Sequence, residues 1–290
     1  MSPYSRRGFL AAVGGGSLGV TGRWDAPERP GSPRRRDFQD RREASGRGSV
    51  SLQVRVHPDA RLGWSLRIQR VRQAVRTGVE QVAVRASREL DAAVHPVVET
   101  GEPIPPEAVP TGSFDALFPA VETWLRERDA YVDGACHLYL ANEPYNRGLG
   151  YGGANGDVAA GGAITLANVG ATRTWDGDHV TDNIAVHEWL HTVLTGDDAA
   201  AVNGSRCEHD LGTVAMLEPG TALVTPLATA YADTSLVGGE TRWHGSGCYD
   251  HGSFWRHDGL DFRPRRWVHT WTLSEATLRA ATRFVERELL

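Results

Sequence analysis

A chain of 290 residues is long enough for one sizeable domain or two small ones. All 31 basic residues are Arg, and they are unevenly spread: residues 1–48 hold 10 Arg and 5 acids, residues 49–290 hold 21 Arg and 31 acids. So acidic a main body excludes nucleic acid as its principal partner, and no apolar run is long enough for a stable membrane span.

Taken in order, Ser5-Arg6-Arg7-Gly8-Phe9-Leu10, with Ala11-Ala12-Val13 and a Gly-rich apolar run to Val20 behind it, resembles a twin-arginine export signal. The resemblance implies removal near Gly22, a secreted location and the twin-arginine export machinery as a partner. Residues 23–48, rich in Pro, Gly, Ser and Arg and without apolar periodicity, read as a disordered linker. Residues 49–290 read as one folded domain of the α+β class.

Order begins where Val50, Leu52, Val54 and Val56 alternate with polar residues, the pattern of a half-buried strand. Ile68, Val71, Val75, Val79, Val82, Ala86, Leu90 and Val94 follow at steps of three and four, which predicts a long helix ended by His95-Pro96. Residues 97–112 are proline-rich and read as a loop. Ser113 is placed to cap a second helix with Phe114, Leu117, Phe118, Val121 and Leu125 on its apolar face. Ala135 to Ala141 and Gly162 to Ala167 read as strands, separated by a Gly-rich loop from Arg147 to Gly156.

The chemistry is concentrated in His187-Glu188-Trp189-Leu190-His191. Two histidines four residues apart share one helix face, so both imidazoles can reach one metal ion. Glu188, between them, can take a proton from a water activated by that metal without itself being a ligand. Ile184, Val186, Leu190, Val193 and Leu194 make the helix read as buried, with Thr181 or Asp182 as its cap and Gly196 as its stop.

The five residues are the H-E-x-x-H pattern of zinc metallopeptidases, and the chain resembles the zincin clan, loosely its metzincin branch. That resemblance implies Zn²⁺, a mixed sheet over an active-site helix, a loop-rich lower lobe, and an edge strand that pairs with an extended peptide or protein substrate. Gly162 to Ala167, the last strand before the helix, is the expected edge strand. Thr225-Pro226-Leu227-Ala228-Thr229-Ala230-Tyr231 stands where metzincins place a tight methionine turn, with Leu227 in place of Met; Leu227 would floor the site and Tyr231 would help stabilise an oxyanion, the alternative being that both are lower-lobe core.

A catalytic zinc takes three protein ligands and leaves a position open. His209, within the polar cluster Cys207-Glu208-His209-Asp210, is the first choice for the third. Glu208 and Asp197 are the alternatives, and Asp210 is expected to orient an imidazole. Asp197 has the short metzincin spacing from His187, yet Leu194 stands where those enzymes need glycine.

Of the three cysteines, Cys207 and Cys248 are the expected pair in an exported chain, and Cys136 a buried free thiol. Asn203-Gly204-Ser205 is a glycosylation sequon, Asp176-Gly177-Asp178 a turn, and His57 and His95 boundary residues; no role is assigned to His244, His251, His257 or His269. Ser274 caps a closing helix with Leu278, Ala281, Val285 and Leu289 inward. The pattern implies a secreted zinc metallopeptidase. Alternatives are a secreted zinc-binding module without activity, or a metal-dependent hydrolase of non-peptide amides.

Overall fold

The computed structural model describes residues 8–9, 48–110, 114–142, 152–169, 178–231 and 266–290, with backbone alone at 8–9, 114–115, 178, 230–231 and 266–267. The expected linker thus falls almost wholly outside the described residues, as does all of the export-signal stretch except Gly8–Phe9.

A six-stranded mixed sheet organises the main body. Its strands are β1 (Gly8–Phe9), β2 (Ser49–Pro58), β3 (Ala93–Thr100), β4 (Cys136–Ala141), β5 (Gly152–Asp157) and β6 (Gly162–Asn168), in the order β1-β5-β6-β4-β2-β3. β3, β2, β4 and β6 run parallel to one another, while β5 runs antiparallel to β6 and β1 antiparallel to β5. Alternate residues of a strand face opposite sides, and β4 shows it. Cys136, Leu138 and Leu140 join the larger core, whereas Tyr139 and Ala141 join a smaller one built on helix α2 (Phe114–Arg126).

On the larger-core face lie α1 (Leu66–Glu89) and α3 (Asp178–Leu190). α1 buries Ile68, Val71, Val75, Val79, Val82 and Ala86, the expected stripe. α3 is buried on nearly all sides, from Val180 and Ile184 to Val186, Trp189 and Leu190, which is why its sequence lacks a polar face. Below it lie α4 (Gly196–Asn203), a three-stranded sheet of β7 (Val214–Glu218), β8 (Thr221–Val224) and β9 (Arg266–His269), and α5 (Glu275–Phe284). Ser274 caps α5 as expected, its hydroxyl accepting from Thr277 N at 3.0 Å.

The α+β architecture, with a mixed sheet above the histidine helix and a lower part of short elements, agrees with the sequence. Four details differ. α1 ends at Glu89, and Val94 and His95-Pro96 belong to strand β3. Val94 merely continued the spacing of the helix, and the proline is tolerated because β3 is an edge strand. The Gly-rich loop contains β5, a strand of Gly, Ala, Asn and Asp with nothing β-like in its side chains. Gly162 to Ala167 is therefore an interior strand, flanked by β4 and β5. Finally, Thr181 and Asp182 lie within α3, which begins at Asp178.

Candidate metal centre

α3 stops at Leu190, and the chain tightens into three-residue turns, with Thr192 N–H donating to Trp189 O at 2.9 Å and Val193 N–H to Leu190 O at 3.0 Å. His191 N–H still reaches His187 O at 3.4 Å, so the two imidazoles keep their one-turn spacing. Gly196 does not stop this helix. It opens α4, capped by Thr195, whose side chain accepts from Asp198 N–H. α4 in turn ends at Gly204, whose φ of 81° is the left-handed cap that favours glycine. The chain then returns in a short 3-10 turn, Glu208–Leu211, and that return delivers His209 to the end of α3.

The result is three histidines with their Nε2 atoms together. His191 Nε2 lies 3.0 Å from His187 Nε2 and 3.2 Å from His209 Nε2. Two nitrogen ligands of a tetrahedral zinc, each at about 2.0–2.1 Å, sit roughly 3.3 Å apart. His187, His191 and His209 thus form a group able to hold one metal ion.

The far side of each ring fixes its tautomer. His187 Nδ1 faces Pro226 O at 2.7 Å, and a carbonyl can only accept, so Nδ1 carries the hydrogen. His191 Nδ1 donates to Glu208 Oε2 at 2.6 Å, and His209 Nδ1 faces Cys207 Sγ at 3.8 Å. With Nδ1 protonated on His187 and His191, their Nε2 lone pairs face each other, and that of His191 also faces His209 Nε2. Lone pairs at such distances repel, and a cation among them removes the conflict. Protonating a ring is the other escape, but burial and the neighbouring His191 hold the His187 pKa well below its ordinary value.

Glu188 completes the arrangement. Its side chain is fully buried, and neither carboxylate oxygen has a hydrogen-bond partner among the described residues. Burial pushes its pKa well above the usual carboxylate range. β5 crosses just above it: a methyl group built on Gly152 would lie 2.3 Å from Glu188 Oε1. Only glycine permits that approach, so a strand without β-formers reflects a backbone that must pass close to a carboxylate.

The remaining candidates separate clearly. Asp197 is exposed on the first turn of α4 and ion-paired with Arg206, so it is not a ligand; Gly196 starts a helix instead of bending the chain back. Glu208 is not a third ligand but the partner of His191, the orienting part expected of Asp210. Leu227 is buried in the main core, as a floor residue would be. The backbone of Tyr231 closes the 3-10 turn Leu227–Tyr231, and the expectation for its side chain lies outside the described residues.

Cys136 is the buried free thiol expected, its pKa pushed up to about 12 by burial. Cys248, the expected partner of Cys207, lies outside the described residues, as do Trp243, His244, His251, His257 and Asp176-Gly177. His57 is buried and bonded to His137, His95 is exposed on β3, and His269 is buried on β9. Three contributors escaped the sequence: the Pro226 carbonyl, the Glu208 carboxylate as an orienting group, and Gly152. Only Glu208 left a trace, as an acid adjacent to the first-choice ligand.

No protein-family model matches the chain, and no curated protein does. Among solved structures it is similar to metalloproteinase-II from Bacteroides fragilis, at 15% identity and a TM-score of 0.34. The match covers 52% of this chain and 44% of that one, so the chain spans under half the length of the structure it matches.

Proposed function

We propose that this protein is a secreted zinc metallopeptidase of the zincin kind, exported by a twin-arginine signal in residues 1–22 and followed by a linker to a catalytic domain at 49–290. The observation that carries the reading is the convergence of three Nε2 atoms, with each Nδ1 facing a group on its far side, beside a buried carboxylate that has no hydrogen-bond partner among the described residues. Three imidazoles suit zinc and leave a fourth position for chemistry, whereas a purely structural zinc is closed by four protein ligands.

A divalent cation held there would supply Lewis acidity, lowering the pKa of a water and polarising a carbonyl. His187, His191 and His209 bind it, and Pro226 O and Glu208 keep the first two rings aimed. Burial raises the pKa of Glu188, and a dication held beside it would oppose that shift and favour the carboxylate. Glu188 then accepts a proton from the attacking water and returns it to the leaving nitrogen as the amide bond breaks. The outer edge of β5, not of β6, is the place for an extended peptide. A Cys207–Cys248 bridge would pin the turn that carries His209 and contribute on the order of 3–4 kcal/mol.

The test is hydrolysis of an unstructured protein such as casein by the wild type and by Glu188→Gln, with bound metal measured on both. The proposal expects cleavage by the wild type and a loss of about 10²–10⁴-fold in the variant at unchanged metal content. Equal rates in the two proteins would contradict it.

A further inference from the structure

The sheet ends on an edge beside the candidate catalytic carboxylate, and that edge is taken. β1 pairs antiparallel with β5 in the register Gly8↔Gly153 and Phe9↔Gly152. Gly152 is the residue whose missing side chain makes room for Glu188 Oε1. The backbone at Phe9 therefore runs alongside the strand position that touches the carboxylate.

β5 is also unusually open to such pairing. Natural edge strands are guarded by lysine, proline, bulges or inward charges. Gly152-Gly153-Ala154-Asn155-Gly156 has no charged residue and no proline, and it pairs with β6 in unbroken register.

The tether permits the contact with slack. β1 lies four strand positions from β2, roughly 19 Å across the sheet, while 38 residues separate Phe9 from Gly48. A segment attached in this way acts at an effective concentration on the order of millimolar, enough to compete with an extended peptide for the same backbone groups.

From these observations we infer that residues 8–9 are an intramolecular occupant of the substrate-pairing edge, so that the chain is latent while its N-terminal segment is attached. The inference deepens the peptidase reading and rests on it for its consequence, though the pairing itself does not. The latent form would keep the site covered until the segment is removed, a useful property if the chain is exported already folded.

The test uses the full chain, with intact mass confirming that residues 1–22 are present, and the double variant Gly8→Pro, Phe9→Pro. Of two neighbouring strand residues one points its N–H at the partner, so the pair of prolines removes it whichever residue that is. The expected result is an apparent KM for a peptide substrate lowered by about tenfold at unchanged kcat, the scale of one or two net hydrogen bonds. Amide exchange at whichever of Gly152 and Gly153 points its N–H toward β1 should be slow in the wild type and fast in the variant, while the other, facing β6, is the internal control. Identical KM values in two active proteins would overturn the inference. If neither protein hydrolyses any peptide, the peptidase reading fails and exchange alone decides. Protection lost in the variant then supports the occupant, and equal exchange in both sinks it.

Discussion

Two clusters of histidines among the described residues differ in what their ring nitrogens meet, and the contrast bears on what could make an imidazole a ligand. On the α2 side of the sheet, His57 Nδ1 donates to Glu102 O at 3.0 Å, His137 Nδ1 lies 3.1 Å from His57 Nε2, and Val132 N–H donates to His137 Nε2 at 3.1 Å. Donor meets acceptor along these three links if both rings are neutral with hydrogen on Nδ1, although His137 Nε2 also lies 3.3 Å from Val132 O. Burial, above all, supports that state, pushing His57 down to about 4 and His137 down to about 3. Nothing is left over for a metal. At the end of α3 His187 and His191 are just as buried and His209 is half-buried, but all three Nε2 atoms face inward on one another. One cluster closes its own hydrogen-bond chain; the other is arranged so that a cation could close it.

The largest effect expected on this contrast comes from the carboxylate that only one cluster has. Glu188→Gln keeps the volume and removes the base, and kcat should fall by about 10²–10⁴-fold with zinc still bound, as read by steady-state kinetics beside elemental analysis. Gly152→Ala comes next. Its methyl group must displace Glu188, and a misplacement of about 1 Å costs on the order of 10²-fold in kcat, again with metal retained. Glu208→Ala leaves the base alone and frees the His191 ring, so zinc affinity measured by competition with a chelator should fall about 10–100-fold.

A different readout, stability against pH, probes the self-contained pair. His57 and His137 have folded pKa values below those of the unfolded chain, so below about pH 6.5 the unfolded state binds more protons and stability falls with pH. Each group contributes at most about 1.4 kcal/mol per pH unit, from pH 6.5 down to its folded value of about 4 for His57 and about 3 for His137. Urea unfolding between pH 7 and 4.5 should show a shallower slope in His57→Asn, His137→Asn than in the wild type. Identical slopes would mean that the pair is not neutral in the folded chain.

What the sequence revealed divides along physical lines. α1, β2 and α5 were legible because each buries one face, which imprints a period of 3.6 or 2 on the chain, and β4, buried on both faces, was legible as a short apolar run. His187, Glu188 and His191 were legible because their geometry is local to one helix turn. His209 was reached by ligand chemistry, which prefers imidazole, and not by spacing. β5 was invisible because the closeness of its backbone to Glu188 selects glycine over any strand-forming side chain. β3 was masked by a valine that fitted the preceding helix equally well. β7 and β8 form a short hairpin broken by a register shift, and β9 joins β8 from far along the chain, so these short strands left no pattern to read. The part played by Glu208 depends on a turn that brings chain positions 17 residues apart into hydrogen-bonding distance, which no local pattern encodes.

The central claim is that His187, His191 and His209 hold one divalent metal ion. The direct measurement is zinc per chain after loading and exhaustive dialysis, by elemental analysis, for the wild type, His209→Ala and Asp197→Ala. The account predicts one zinc per chain in the wild type and in Asp197→Ala, and close to none in His209→Ala. A wild type that retains no zinc, or a His209→Ala that binds it as firmly as the wild type, would contradict the account.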